Sequence, residues 1–512
     1  MTAGQIISGE FGSLLIRQKS GKNLEIGQLL VAESGNEKFV FQVFDLVYGS
    51  QLPQHNLELI SGMNLEGNLN LDFIEPEIKN YTLARLKNLV TIKDGQTFLS
   101  KTLPDFFIQV RDIRDDDLNF FTEPRTPLFV GKLRSGSQVL DFDIFLEGEE
   151  VLTHHILVAA TTGRGKSNLT SCMLWDCAGR DYCGILVLDP HDEYYGRNKL
   201  GLKDNPSQNL VYYTPKNVPP GCRTLKINLM SIKPWHFNGI VEWSDPQNEA
   251  LQAFYRKFGE DWIKKLMIEK EFENFQEGTL NVLRRRMSGI LDIREIRGEL
   301  HCDGIFDEHL GQTTSRDIIY ELENSRIVII DTSNFTGRTE LLIGSILAYE
   351  AFNKYKHYKI TGELNSKPVI SVVLEEAPRV LSGPALERGN IFSTIAREGR
   401  KFKVGLIAIT QIPSLIPRQI LANINTKIIL GLEMKPERQA VIESASQDLS
   451  TDDRSIASLD KGEAIITSNS IKFATPIKIP LLSELAAKRF AGRKKENKEE
   501  YERDFTGIGL DY

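Results

Sequence analysis

The chain has 512 residues, 41% of them hydrophobic and 26% charged, with a formal net charge of −7. Such a length accommodates roughly three domains and a large buried core, and the acidic balance excludes a globally basic nucleic-acid binder while leaving room for a local basic surface. No apolar run approaches the ~20 residues of a membrane span, Met1-Thr2-Ala3-Gly4-Gln5 lacks a signal-peptide pattern, and five cysteines without a CxxC pair fit a reducing, cytoplasmic compartment with no membrane partner.

In chain order, the first segment alternates short apolar runs with turns: Gly12-Ser13-Leu14-Leu15-Ile16, Gly27-Gln28-Leu29-Leu30-Val31 and Phe39-Val40-Phe41-Gln42-Val43-Phe44, then Asn88-Leu89-Val90-Thr91-Ile92. Strands at this spacing, parted by Gly, Asn and Ser turns, predict a small β-barrel or sandwich within residues 1–130. Phe129–Leu133 and Val139–Ile144 read as a hairpin feeding the next strand, His155-Ile156-Leu157-Val158-Ala159. From there to residue 480, Gly184–Asp189, Ile327–Asp331, Val369–Leu374, Val404–Thr410 and Lys427–Leu432 are continuous apolar runs alternating with helical segments. Strands apolar on both faces predict an α/β core: a mostly parallel sheet with helices on both sides.

A helical insertion is expected at about 235–310, where Leu251, Phe254, Tyr255, Phe258, Trp262 and Leu266 recur at helical spacing. Aromatics so spaced are core residues more often than ligands. Arg284-Arg285-Arg286 could touch phosphate, although a solvated face is the commoner fate of such a run. The last segment, 481–512, is a charged tail containing Arg493-Lys494-Lys495-Glu496.

The core is organised around Ala160-Thr161-Thr162-Gly163-Arg164-Gly165-Lys166-Ser167-Asn168, which sits between an apolar strand and a helix start. Glycines there let successive N–H groups converge on a phosphate at a helix N-terminus, a lysine adds a cation, and a serine hydroxyl can ligand Mg²⁺. The nucleotide site is therefore expected at Thr162, Gly163, Arg164, Gly165, Lys166, Ser167 and Asn168. Ala160 stands where the pattern asks for glycine, a position alanine tolerates only at negative φ. A triphosphate site also needs an acid for Mg²⁺ and a group that orients water. Asp189, Asp331 and Glu375-Glu376 all end strands; the adjacent glutamates offer two carboxylates to two roles and are favoured over Asp331. One arginine of the cationic turn Arg397–Lys401 could reach a neighbouring subunit's γ-phosphate, although such a run is more often a solvated turn, and Gln411 suits a γ-phosphate sensor or a local backbone bond.

Taken together, the loop motif, Asp189-Pro190-His191-Asp192-Glu193-Tyr194-Tyr195, Leu374-Glu375-Glu376-Ala377, Ile395–Phe402, Asn423–Leu430 and Leu459–Ile466 resemble, in this order, the HerA family of the HerA/FtsK superfamily. The resemblance implies a RecA-like P-loop core behind an N-terminal barrel. It implies ATP and Mg²⁺ as ligands, with Lys166 on phosphate, Ser167 and Glu375 on the metal, Glu376 catalytic, Arg400 a finger acting in trans and Gln411 the sensor. It further implies a homo-hexameric ring that translocates double-stranded DNA, with a nuclease of the NurA type or another effector nuclease as partner in end resection and repair. A ring scaffold with regulatory hydrolysis, and a DNA pump of the FtsK or conjugative type, are the alternatives. His154 replaces an arginine that reaches the nucleotide in the family; Pro378 and Ile412 replace a histidine and an arginine after the paired glutamates and the sensor.

Overall fold

The computed structural model describes residues 2–67, 80–269, 271–272 and 275–488. The predicted tail from 489 onward lies outside the described residues. In the N-terminal part, Thr2–Glu10, Gln109–Asp112, Leu29–Ser34, Glu37–Ser50, Asn80–Lys93 and Ser13–Gln18 pair antiparallel in that order. The ring of strands closes where Leu14 to Arg17 pair with Leu86 to Leu83, so the sheet is a barrel. Alternation of side chains along the strands fills it: Leu14, Ile16, Leu30, Phe39, Phe41, Ala84 and Leu86 face inward as one core. The barrel's last strand ends at Asp112 and the next sheet begins at Pro127, so the change of architecture falls between those residues, ahead of the expected boundary near 130. A buried ion pair, Lys87 with Asp452, ties barrel to core.

The core is a single twelve-stranded sheet. Its parallel part runs Arg223–Thr224, Leu210–Thr214, Ile327–Asp331, Cys183–Asp189, Val369–Leu374, Val404–Thr410, Ile156–Ala159 and Thr426–Leu430. Antiparallel strands Glu463–Thr467, Thr475–Lys478, Pro127–Ser135 and Gln138–Glu147 continue it. The sheet is therefore mixed, and the Phe129–Ile144 hairpin lies at its far edge rather than beside Ile156–Ala159. The strand Leu210–Thr214, near the other edge, was not foreseen in the sequence.

Every residue of the central parallel strands is buried, because both faces are covered. Alternation along each strand feeds two cores. Leu157, Leu186 and Leu188 pack with the helices Gly337–Thr361 and Ile391–Glu398 and the insertion, while Ile156, Val158, Ile185 and Val187 pack with Lys166–Cys177. The insertion comprises Asp245–Phe258, Trp262–Ile268 and Glu277–Leu291, followed by the hairpin Ile293–Ile296 and Glu299–Cys302. Its aromatics are core, as their type suggested: Phe254 and Trp262 are fully buried, and the Trp262 indole donates to Ile232 O at 2.8 Å. Residues 482–488, expected to begin the solvated tail, are helical and bury Leu485 and Ala486 against the second core. All five cysteines are free thiols, and no helix among the described residues is long and apolar enough to cross a membrane.

Candidate active site

Sheet order assembles the site. Ile156–Ala159, Val404–Thr410 and Val369–Leu374 are consecutive parallel strands, with Ala159 opposite Thr410 and Leu374 opposite Ala408. Their C-terminal ends lie side by side, and the residues that follow them are the phosphate loop, Gln411 and Glu375-Glu376. Asp189 and Asp331 pair with each other farther along the sheet, away from the loop.

The loop hangs between two strand ends: Ala160 N–H donates to Thr410 O at 3.2 Å and Thr161 N–H to Gly431 O at 3.1 Å. Gly163 and Gly165 take φ of +80° and +110°, the left-handed region that glycine enters without steric cost. Ala160 is not among the residues at positive φ, which satisfies the condition set for alanine at that position. The helix Lys166–Cys177 starts immediately after, so its first N–H groups face the loop. Lys166 is half-buried, with Nζ on Ala160 O at 3.2 Å. Burial pulls its pKa below the ordinary lysine value, opposed by the nearby carboxylates of Glu376, Glu375 and Glu193. Two loop residues are otherwise engaged. Arg164 reaches Leu459 O and Glu433, and the Asn168 amide donates to Pro480 O at 2.8 Å and accepts from Leu482 N–H at 3.0 Å. Both side chains clamp the loop to neighbouring segments in this arrangement, a role the motif did not announce.

Glu375 is largely buried, and that burial raises its pKa; the Tyr194 hydroxyl, which donates to its Oε1, acts the other way. Glu376 sits at φ +51°, an unusual conformation for a non-glycine residue, held by Ala377 N–H donating to Ile409 O at 2.9 Å. The Gln411 amide donates to Glu376 Oε1 at 2.9 Å, and its oxygen accepts from the Thr162 hydroxyl. Phosphate loop, Gln411 and Glu376 thus form one hydrogen-bonded chain, which distinguishes Gln411 from a merely local backbone contact.

The other acids are structural. Asp189, whose pKa burial pushes up to about 6, accepts from the N–H groups of His191, Glu193 and Tyr194 and so shapes the loop that delivers Tyr194 to Glu375. Asp331 is held by Arg197 at 2.7 Å, Thr214 at 2.8 Å and Ser333. Tyr194 and Thr162 were not singled out for these contacts in the sequence; the tyrosine's place in the Asp189–Tyr195 motif was its only signal.

Arg400 precedes Val404–Thr410, whereas Gln411 follows it. At ~3.3 Å per residue the seven-residue strand separates them by about 20 Å, so Arg400 lies along the N-terminal edge of the parallel strands, at the far end from its own phosphate loop. It is exposed and makes no hydrogen bond or ion pair among the described residues. His154 shares that edge: burial and the Arg400 charge both lower its pKa. His154 precedes the strand Ile156–Ala159 that the loop follows, so a strand's length separates it from its own phosphate loop. The three arginines of the insertion also separate: Arg284 donates to Leu266 O, Arg286 to Gln247, and Arg285 alone is exposed.

A Gly-rich loop at a helix N-terminus, with a lysine, paired strand-end glutamates and a bridging glutamine at the ends of parallel strands, defines a P-loop ATPase. Residues 128–351 match the family model described as the central domain of helicase HerA. The DNA double-strand break repair helicase HerA of Sulfolobus acidocaldarius is 27% identical over 506 residues, 94% of this chain and 93% of that one. Its counterpart in Sulfurisphaera tokodaii is 25% identical over 474 residues, 90% and 89% of the two chains. Over about nine-tenths of its length the chain is thus similar to HerA helicases, and the matched model lies within its α/β core. Among solved structures, VirB4 of Thermoanaerobacter pseudethanolicus aligns with a TM-score of 0.45 at 15% identity over 70% of this chain and 96% of that one. The bacterial conjugative coupling protein TrwBdeltaN70 gives 0.44 at 12% over 69% and 94%.

Proposed function

We propose that this protein is an ATP-driven double-stranded-DNA translocase working as a homo-hexameric ring in the cytoplasm. The observation that carries the reading is the hydrogen-bonded chain Thr162–Gln411–Glu376, which joins phosphate loop to candidate base. In this reading the loop N–H groups and Lys166 hold the β- and γ-phosphates, Glu376 accepts a proton from the attacking water, and Gln411 registers the γ-phosphate through Thr162. Among the described residues no three His, Cys, Asp or Glu side chains cluster to hold a metal alone. The donor set nevertheless fits Mg²⁺ shared with phosphate oxygens: Ser167 lies in the first turn of the helix, and Glu375 is a desolvated carboxylate with one hydrogen-bond partner, Tyr194, among the described residues, a charge that a cation would relieve. Mg²⁺ bound there would neutralise charge on the β- and γ-oxygens.

Arg400 supports the ring. A strand's length from its own loop, exposed and unpaired, it has a catalytic use only if it is presented to a second subunit's γ-phosphate. DNA as the track follows the relatives named for double-strand break repair, and a NurA-type or other effector nuclease as partner follows from the motif resemblance alone. The exposed Phe11, Phe98 and Leu99, around a cavity of about 1030 Å³ between barrel and core, offer such a partner an apolar footing.

The test is steady-state ATP hydrolysis with and without duplex DNA. Lys166→Ala, Glu376→Ala and Arg400→Ala are each expected to abolish DNA-stimulated turnover while the oligomer measured by light scattering stays intact. Normal turnover in Glu376→Ala would overturn the site assignment.

A further inference from the structure

Four arginines line one cavity on the core: Arg285 and Arg286 from the insertion helix Glu277–Leu291, Arg338 from the first turn of Gly337–Thr361, and Arg379 from the short helix Pro378–Leu381. The cavity measures about 640 Å³, and among the described residues no aspartate or glutamate lines it. In a chain with net charge −7, four like charges of which only Arg379 has an acidic partner, Glu340, are costly unless an anion is expected. Arg285 and Arg338 are exposed and have no hydrogen-bond or ion-pair partner among the described residues, so both guanidinium groups are free to bind. Arg286 is set in place: it donates to Gln247 Oε1 at 3.1 Å and lies over the Trp243 ring at 4.9 Å. The insertion is pinned to the same wall, because Thr339 Oγ1 donates to Ile290 O at 3.0 Å. The first turn of Gly337–Thr361, with its N–H groups, adds to the positive potential.

Arg379 differs from the other three because it is joined to the active site. Its backbone N–H donates to Glu376 O at 3.0 Å. Its guanidinium spans to Glu340 at 2.8 Å and to Gly337 O, which uses only part of a five-donor fork. Glu376 already occupies a strained backbone conformation at φ +51°, so a small displacement of the residues after it re-aims its carboxylate.

We propose that Arg285, Arg286, Arg338 and Arg379 bind the phosphate backbone of duplex DNA, and that Arg379 is the positioning residue through which bound backbone sets the catalytic Glu376. The proposal rests on the reading of the protein as a DNA-stimulated motor and deepens it: it says where the polyanion is felt and by which link turnover answers. Recognition is of phosphodiester charge, so it is independent of base sequence and sensitive to salt.

The experiment uses the full chain, a fluorescently labelled blunt duplex, anisotropy over a series of KCl concentrations, and the ratio of ATP turnover with and without that duplex. For R285E/R338E, both surface positions, affinity is expected to fall roughly tenfold or more, uniformly across duplex sequences, with the log–log salt slope reduced by about one per lost phosphate contact. For R379K, which keeps the charge but not the fork to Glu340 and Gly337, duplex affinity is expected to stay within about threefold of wild type while the stimulation ratio drops towards one. Unchanged affinity and slope in R285E/R338E would overturn the site. So would thermal stabilisation by millimolar inorganic phosphate that vanishes in R285E/R338E while duplex affinity persists, since that identifies a free-phosphate site. Full stimulation in R379K would overturn the link to Glu376. A wild-type protein that neither binds duplex nor responds to it would instead overturn the motor reading itself.

Discussion

At the scale of single residues, Gln411 is where the phosphate loop and the proposed base, Glu376, meet. A glutamine can accept from Thr162 and donate to Glu376 at once, because its amide carries both an acceptor and a donor. Replacing it by alanine leaves loop and base in place but unconnected. Gln411→Ala is expected to lower kcat for ATP by about 10²-fold with little change in KM, the signature of an interaction made in the transition state. A variant that raised KM and spared kcat would make Gln411 a binding residue instead. The same scale explains what the sequence could not announce. Lys166 and Ser167 stood out as candidates by strand–loop–helix spacing, and Glu375-Glu376 as a pair of adjacent acids closing an apolar strand, because both signals are local in the chain. The side-chain bonds of Tyr194, Thr162 and Asn168 depend on which remote segments the sheet order brings near, and no local pattern encodes that.

Among the elements, the strand carrying the phosphate loop has a buried titrating group at its entrance. His155, at φ +66°, accepts the Leu406 N–H on Nδ1 at 3.1 Å, and burial, aided by His154, depresses its pKa from the ordinary 6.5 to about 4. As pH falls below 6.5 the unfolded chain binds a proton that the folded chain refuses until about 4. The stabilisation is therefore fully present above that window and is lost across it, by about 3 kcal/mol from this group alone. His236, which accepts from Lys233 N–H and is depressed by burial to about 3, adds to the same acid loss. Urea unfolding between pH 7 and 4 should show stability falling with acid, and His155→Gln should flatten part of that slope; an unaltered profile would contradict the assignment. The parallel strands themselves were readable in advance because burial on both faces writes a continuous apolar run. Leu210–Thr214, near the sheet edge and rich in tyrosine, writes no such run, and the antiparallel half of the sheet is a matter of topology that propensity does not carry.

For the whole molecule, the distance between Arg400 and its own phosphate loop turns a single chain into an argument for assembly. If the finger acts across an interface, inactive Lys166→Ala and Arg400→Ala subunits should complement each other when mixed, since each supplies what its neighbour lacks. No recovery at any mixing ratio would leave the trans role without support. The barrel, the α/β core and the insertion were each visible in the sequence as separate patterns, but their mutual arrangement was not. It rests on contacts such as the buried Lys87–Asp452 pair, whose partners lie 365 residues apart in the chain. The central claim is that ATP hydrolysis moves this protein along duplex DNA, and displacement of a triplex-forming strand from a duplex tests it most directly. ATP-dependent displacement by the wild-type protein, absent in Glu376→Ala, is the predicted result. Hydrolysis of ATP without displacement, whether or not a nuclease partner is present, would contradict it and favour a scaffold role.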